Sequence, residues 1–186
     1  MPAFDPETGI AYESVLLFRR NGTLAGRALV DVADVDLVRQ HVWHLTGRGY
    51  AATNITHPLG GLKRDGVRTR QTALMMHRLI LGLGFGDRTF TDHVNRQRCD
   101  NRRRNLRIAT PALNMQNIPS YRGSTSKYRG VSWFGPCGKW RAEATLDGRR
   151  YYFGLYSDEE EAAAVVSAWR HVYMPFTVEE GHLVSN

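Results

Sequence analysis

Acidic, imidazole and amide side chains are closely spaced between Asp92 and Asn117. Asp92 and His93 are adjacent. Asn105 follows His93 by twelve positions, and Asn114 comes nine positions later. Hydrolysis of a phosphodiester requires a deprotonated water and a positive charge that stabilises the phosphate and the leaving oxygen. Asp92 and Asn114 carry the oxygen ligands that Mg²⁺ prefers, and His93 can accept a proton near neutral pH. These residue types predict metal-assisted hydrolysis, with Asp92 and Asn114 as metal ligands and His93 as the general base.

Two short strands and a helix are expected to position these side chains. The strands are predicted at 90–94 and 106–109. Thr110 is a suitable helix N-cap and Pro111 a suitable first helical residue, so a helix is predicted to begin there. This helix would place Asn114 over its first turn.

The segment TDHVNRQRCDNRRRNLRIATPALNMQN resembles the HNH nuclease motif in its phage and intron-homing variant, in which an asparagine replaces the last histidine. The resemblance implies a ββα-metal (His-Me finger) core at about 77–117 with a bound Mg²⁺ or Mn²⁺. It also implies that Asn105 serves catalysis by holding the loop between the strands and orienting the base. Asn117 is expected to touch the metal shell or to cap a neighbouring loop. The ordinary alternatives are a solvated acid–histidine pair and a helix start in which asparagines only cap.

The chain is basic, with a net charge of +7 and a pI of about 9.8, which indicates a polyanionic partner. Positive charge is concentrated after His93, in a segment where Asp100 is the only acid. Arginine binds phosphate through paired hydrogen bonds, so these arginines are predicted to bind DNA. They are Arg96, Arg98, Arg102, Arg103 and Arg104, with Arg107 directly beyond them. The alternative is a solvated loop whose charges repel each other.

A second pattern, of three strands and a helix, begins after Ser126. The strands are predicted at 128–134, 139–146 and 149–156, and the Asp147-Gly148 pair is a strong signal for a hairpin between the last two. Ser157 is a plausible helix N-cap, followed by acids that suit the positive end of a helix. An apolar stripe then has helical spacing, formed by Ala162, Ala163, Val166 and Trp169.

Alternation divides this sheet into an apolar face and a polar face. The apolar face is predicted to hold Trp140, Ala142, Ala144, Leu146, Tyr151, Phe153 and Leu155. The polar face is predicted to hold Arg141, Glu143, Thr145, Arg150 and Tyr152. Such a polar face suits the reading of base edges and phosphates in a DNA major groove. The alternative is an ordinary sheet whose exposed arginines only keep it soluble.

The strings YRGV, KWRAE and YYFGLYSDEEEAA resemble the plant ethylene-response-factor (Apetala-two type) DNA-binding domain, which is also found attached to phage and homing nucleases. The resemblance implies DNA recognition through the three-stranded sheet. The positions that match contacting positions are Arg129, Glu143, Arg150 and Tyr152. Tyr152 stands where plant members have Trp, and Thr145 stands where they have Arg. Trp133 and the FGPCG turn replace their arginine-rich first hairpin, so the target sequence stays open.

The predicted fold class is therefore α+β, with two domains. The nuclease domain spans 1–117, including an N-terminal α/β lead-in; a linker spans 118–127, the DNA-binding domain 128–175 and a tail 176–186. The lead-in is predicted to contain strands at 14–19, 27–32 and 50–55 and helices at 35–41 and 74–83. The linker is rich in serine, glycine and basic residues and would lie along DNA or provide slack.

Two cysteines, Cys99 and Cys137, have no close spacing, which argues against a zinc knuckle or a disulfide framework. The N-terminus lacks signal-peptide features, and no apolar run reaches membrane-spanning length, so a cytoplasmic protein with no membrane partner is expected. We expect an endonuclease that cuts duplex DNA and nicks one strand as a monomer. A dimer, or two visits, would give a double-strand break. The alternatives are a non-catalytic DNA-binding regulator on a nuclease scaffold and an RNA-binding accessory protein.

Overall fold

A computed structural model describes residues 2–56, 62–64, 67–69 and 71–178. The chain forms two units, Met1–Ile108 and Ala109–Asn186. The fold is mixed α+β, as predicted, and it includes a three-stranded antiparallel sheet. Residues 179–186 of the predicted tail lie outside the described residues. Within the described ranges, no helix is both long and apolar enough to cross a membrane.

The first unit is built on a six-stranded sheet in which β2 pairs antiparallel with β1 and β3 and parallel with β4, while β5 joins β4 to β8. The strands up to this point are β1 (Ala3–Phe4), β2 (Ala11–Phe18), β3 (Leu24–Asp31), β4 (His44–Leu45), β5 (Ala51–Thr56), β6 (Leu62–Arg64), β7 (Val67–Thr69) and β8 (Gln71–Met75). The short strands β6 and β7 pair with each other. The helices of this unit are α1 (Val35–Arg39) and α2 (Met76–Ile80). The predicted helix at 74–83 is therefore shorter, because β8 takes its first residues.

The core of the first unit lies between this sheet and the two helices. Leu17 on β2 and Val30 on β3 are fully buried, as is Val38 on α1. Trp43 is also buried, and its indole nitrogen donates to the Val38 carbonyl at 2.8 Å, so the large ring enters the core with its polar atom satisfied. Burial of each such side chain stabilises the unit by about 1.5–3 kcal/mol.

Two further strands, β9 (Phe90–His93) and β10 (Leu106–Ala109), form a small sheet of their own, as predicted. We call residues 94–105 between them the connecting loop. This loop is fixed to β3, because the Leu29 amide donates to the Cys99 carbonyl and the Asn101 amide donates to the Leu29 carbonyl, both at 2.8 Å. The loop ends in a 3₁₀ turn at Arg103–Asn105. The main sheet thus determines the path of the segment that follows His93.

The second unit contains α3 (Pro111–Gln116), an antiparallel sheet of β11 (Val131–Phe134), β12 (Lys139–Leu146) and β13 (Arg149–Tyr156), and α4 (Glu159–Tyr173). The predicted cap of α3 is confirmed, since the Thr110 hydroxyl accepts from the Leu113 amide at 3.2 Å. The first strand of this sheet, β11, is shorter than the predicted 128–134, because it begins at Val131. The prediction of Ser157 as the cap of α4 is wrong. Asp158 is the N-cap, because its carboxylate accepts from the backbone amides of Glu160 and Glu161.

Residues 118–127, predicted as a linker, are ordered within the second unit. The Ser126 hydroxyl donates to a Glu159 carboxylate oxygen at 2.6 Å and accepts from the Tyr128 amide at 3.0 Å. The Ser120 hydroxyl donates to the Ser126 carbonyl at 3.0 Å. The division between the two units falls at the end of β10, not within this segment.

The hairpin between β12 and β13 has the predicted register at its turn, where Leu146 pairs with Arg149. A β-bulge then leaves Phe153 unpaired: Tyr152 pairs with Glu143, and Gly154 pairs with Ala142. Gly154 has a φ of 122°, which its missing Cβ permits. Beyond the bulge the alternation is shifted by one residue. Tyr156 therefore packs on the core, and the prediction that Leu155 belongs to the apolar face is wrong, because Leu155 pairs with Arg141.

We expect Gly130→Ala to destabilise the second unit by about 2–3 kcal/mol, through overpacking and a left-handed backbone. Gly130 has a φ of 85°, and an added Cβ would lie 2.5 Å from the Glu143 carbonyl oxygen and 2.8 Å from a Val166 methyl carbon. Gly148→Ala is the matched control, since its φ is 78° but nothing lies within 4 Å of the new Cβ. Urea unfolding of both variants measures the difference. Equal decreases in the free energy of unfolding of the two variants would show that the close packing around Gly130 does not contribute to stability.

Candidate active site and nucleic-acid surface

His93 is the last residue of β9 and is only 6% exposed. Its ring lies among three neighbours from the first unit. The His77 ring meets it edge-on at 5.1 Å between centroids, the Tyr50 ring lies at 5.9 Å, and the Asn101 side-chain oxygen lies 3.3 Å from Nε2. Burial lowers the pKa of His93, although the hydrogen bond to Asn101 and the charge of Asp92 oppose that effect. At neutral pH the imidazole is therefore neutral and able to accept a proton.

His77 falls in the helix that was predicted at 74–83, with no functional role assigned to it. In the structure its ring packs against His93. It lies on α2, is buried, and its ring is 5.5 Å from the Tyr50 ring. Its Nδ1 is buried without a hydrogen-bond partner. Burial, with smaller contributions from His93 and Arg78, lowers the pKa of His77 to about 3. A neutral ring at this position adds no positive charge beside the candidate base.

The low pKa of His77 predicts that the first unit loses stability in acid. The fold favours neutral His77, so its contribution is complete above the ordinary pKa of 6.5 and is lost as pH falls from 6.5 towards about 3. In that window we expect the free energy of unfolding to fall by about 1.4 kcal/mol per pH unit from this residue. Urea unfolding of the wild type and His77→Phe, between about pH 5 and about pH 7.5, measures it. The wild type should lose stability relative to His77→Phe as the pH falls, and parallel curves would contradict the burial of a neutral imidazole.

Asp92, the predicted metal ligand, is held by an arginine. Arg107 on β10 binds one carboxylate oxygen of Asp92 through Nε at 2.8 Å and Nη2 at 2.6 Å. This pair crosses the small sheet and is largely screened from solvent. Arg107 thereby fixes the carboxylate next to His93, and a cation that binds Asp92 through the same oxygen must share or displace this contact.

Asn105 holds the connecting loop in place, which is the structural role that the resemblance to the HNH motif implies. Its side-chain nitrogen donates to the Asp100 carbonyl at 2.7 Å, and its side-chain oxygen accepts from the Asn95 amide at 2.8 Å. Its backbone carbonyl also accepts from the Val94 amide at 2.9 Å. Asn105 is buried, so one side chain joins both ends and the middle of the loop. Directly after His93 the chain makes a tight turn, in which Arg96 has a φ of 62°.

Three of the arginines that were predicted to bind phosphate form ion pairs with carboxylates, most of which belong to the first 34 residues of the chain. Arg102 is buried and forms hydrogen bonds with Asp100 at 2.7 and 2.8 Å and with Asp5 at 2.6 Å. Arg103 binds Asp34, and its backbone amide donates to Asp31. Arg104 binds Asp5 and Glu7. Ion pairs therefore compensate the charge of these three arginines, and most of the acids involved are far away in the sequence.

Arg98 has a different environment from these three. Its guanidinium lies 5.0 Å from the centre of the Tyr50 ring, and it donates to the Arg48 carbonyl at 2.6 Å. Cation–π contact of this kind orients an arginine without neutralising its charge. Arg98 therefore keeps its positive charge close to Tyr50 and His93.

Asn114 belongs to the second unit, on α3, whereas Asp92, His93 and Asn105 belong to the first. Within its unit, α3 is held by two arginines. Arg129 donates to the carbonyls of Gln116 and Ile118 at 2.8 and 2.9 Å, and Arg170 donates to the Gln116 carbonyl at 3.0 Å. Arg129, which was predicted to contact DNA, therefore fixes the C-terminal end of α3. The sequence motif gave no sign of this role.

The polar face of the three-stranded sheet contains the other predicted DNA-binding residues. Glu143 lies between two arginines, 3.7 Å from Arg141 and 3.9 Å from Arg150. Arg141 also donates to the Ser132 hydroxyl at 3.3 Å. Tyr152 pairs with Glu143 and is 60% exposed. Two cations, one acid and an exposed aromatic ring thus share one face, as alternation predicted.

Comparison of the chain with family models, curated proteins and solved structures gives no match. Among the described residues there is no cluster of three or more His, Cys, Asp or Glu side chains that could hold a metal ion. The donor set fits only a cation that takes few protein oxygens and keeps most of its waters, as Mg²⁺ does. Within the first unit, Asp92 would supply a carboxylate oxygen.

Proposed function

We propose that the protein is a metal-dependent endonuclease that hydrolyses phosphodiester bonds of duplex DNA, with a ββα-metal catalytic core and a sheet-type DNA-binding domain. The observation that carries the proposal is the environment of His93. It is a buried imidazole with a lowered pKa, adjacent to a carboxylate and held at the start of a loop that Asn105 closes. A solvated histidine on a surface loop would have none of these features. The net charge of +7 supports a nucleic-acid substrate.

His93 would take a proton from a water as the water oxygen attacks phosphorus and the bond to the leaving oxygen breaks. Asp92, fixed by Arg107, would hold the cation, and Mg²⁺ or Mn²⁺ would supply positive charge to the phosphate when bound. Arg98 would attract the phosphate backbone, because its charge is not cancelled by the Tyr50 ring. One such site per chain predicts a nick in one strand for each binding event.

A second candidate is a non-catalytic DNA-binding protein that keeps the nuclease scaffold. The ion pair between Asp92 and Arg107 favours it, because this pair occupies an oxygen of the predicted metal ligand. The polar sheet face would then carry the whole function.

Incubation of the purified protein with supercoiled plasmid, with Mg²⁺, with Mn²⁺ or with chelator, tests the proposal. We expect relaxed circles with either metal and none with chelator. A labelled transcript of the same sequence, incubated in parallel, tests RNA cleavage. Binding to the plasmid without nicking under every metal condition would instead support the non-catalytic protein.

We expect Arg150→Ala and Tyr152→Ala to lower DNA affinity without unfolding the second unit, because both side chains are exposed on the polar face. An arginine that reads guanine should contribute about 1–3 kcal/mol of discrimination between sequences. One that touches only phosphate should weaken binding to all sequences alike and reduce the salt dependence. Binding to a preferred and a scrambled duplex at two salt concentrations separates these cases.

Arg149→Ala is the control for this experiment, since Arg149 has the same charge but lies one position away, with its guanidinium 5.3 Å from the Tyr151 ring. It should change affinity less than Arg150→Ala does. If the two variants are equally weak, or if Tyr152→Ala melts the unit, the assignment of the polar face is wrong.

A further inference from the structure

Asn101 is a fully buried side chain in contact with the candidate base, and the catalytic motif does not account for it. It lies in the connecting loop, eight positions after His93. Its backbone amide donates to the Leu29 carbonyl at 2.8 Å, which ties it to the main sheet. A buried amide with a backbone fixed in this way has little freedom to turn its side chain.

The orientation of the Asn101 amide group follows from its other contacts. Its nitrogen lies 3.4 Å from the Cys99 carbonyl oxygen and 3.4 Å from the Met76 sulfur. Both of these atoms accept hydrogen bonds and neither can donate one, so the nitrogen must face them. The side-chain oxygen is then the atom that lies 3.3 Å from Nε2 of His93.

An amide oxygen only accepts hydrogen bonds, so Nε2 of His93 must carry the proton. In a neutral imidazole the other nitrogen, Nδ1, then has the lone pair. His77 and Tyr50 pack against the same ring and restrict its rotation. The contacts therefore define both the tautomer and the ring orientation of His93.

We propose that Asn101 is a positioning residue, which holds the proton of His93 on Nε2 and leaves Nδ1 as the nitrogen that takes the proton from the attacking water. The catalytic part of this inference rests on the proposed nuclease function. The structural part concerns the imidazole alone and holds whether or not the protein cuts DNA. The hydrogen-bond partner of a metal-bound histidine typically contributes about 10–100-fold to metal affinity or activity, and we expect an effect of that size here, because Asn101 would fix the reacting ring without touching the substrate.

Nuclear magnetic resonance of ¹⁵N-histidine-labelled protein tests the structural part. In the wild type we expect His93 to show a proton bonded to Nε2 that exchanges slowly with solvent, because the ring is buried and this proton is hydrogen-bonded. Asn101→Leu removes the acceptor, so this proton should exchange quickly or vanish from the spectrum. Met76→Leu is the matched control: it removes one contact of the Asn101 nitrogen but leaves the oxygen, so the slow proton should remain.

A wild-type proton on Nδ1 would overturn the inference even if Asn101→Leu does not fold, and so would a slow Nε2 proton that persists in folded Asn101→Leu. Plasmid nicking supplies the catalytic readout: kcat should fall by about 10–100-fold in Asn101→Leu while KM stays unchanged. Unchanged kcat with a lost Nε2 proton would remove the catalytic role. Absence of nicking in the wild type would instead count against the nuclease proposal and leave the spectroscopic result standing.

Discussion

His93→Ala should lower plasmid nicking by about 10²–10⁴-fold while DNA binding is retained. The physical reason is that the variant removes the only proton acceptor proposed for the attacking water. Binding should persist because the arginines and the polar sheet face are unchanged. Gel-based nicking rates, measured with binding to the same plasmid under chelator, separate the two effects.

Two controls make this result specific to the site. His171→Ala removes an exposed histidine from α4 and should nick at the wild-type rate. Thermal unfolding of His93→Ala is needed as well, because the truncation leaves a space beside the rings of His77 and Tyr50. A folded His93→Ala protein that nicks at nearly the wild-type rate would show that His93 is not the base.

Arg102→Met should destabilise the first unit by about 3–5 kcal/mol, because it leaves the carboxylate of Asp100 buried without its cation and removes one of the two cations that bind Asp5. The guanidinium is 8% exposed, and the two carboxylates are 1% and 2% exposed. The same guanidinium also lies 4.8 Å from the centre of the Tyr12 ring. Urea unfolding of the variant and the wild type measures the loss.

Arg39→Ala is the matched control for this prediction. Arg39 pairs with Glu13 in the same unit at 2.7 Å, but its side chain is 63% exposed. A surface pair of this kind contributes only about 0–1 kcal/mol, so burial is the variable that differs. If Arg102→Met is as stable as the wild type but loses DNA affinity, Arg102 serves phosphate binding, as the sequence first indicated.

The sequence predicted helix and strand boundaries well where neighbouring residues alone determine the backbone geometry. Thr110-Pro111 gave the start of α3, and the Asp147-Gly148 turn with its flanking alternation gave the bounds of β12 and β13. The β-bulge at Phe153 was not predicted, although an isolated glycine inside a strand pattern, here Gly154, indicates such a bulge. Leu155 was consequently assigned to the wrong face.

The environment of the candidate site was less predictable, because its determinants are distant in sequence. Apart from Asp100, the acids that bind Arg102, Arg103 and Arg104 lie in the first 34 residues of the chain. His77 appeared as one of seven histidines, and nothing near it in the sequence indicated that it packs against His93. The spacing of Asp92, His93 and Asn105 suggested the chemistry. Tertiary packing determines which charged side chains remain able to take part in that chemistry.

The contact between Asp5 and Arg102 joins residues 97 positions apart in the sequence. Bringing such distant segments together costs chain entropy before the ion pair returns any stabilisation, and contacts of this range slow folding. During synthesis, Asp5 and Glu7 emerge long before the arginines that neutralise them. The first unit therefore cannot complete its fold until nearly all of it has left the ribosome. A truncation that removes Asp5 would impair the last step of that folding, although it lies far in sequence from every predicted catalytic residue.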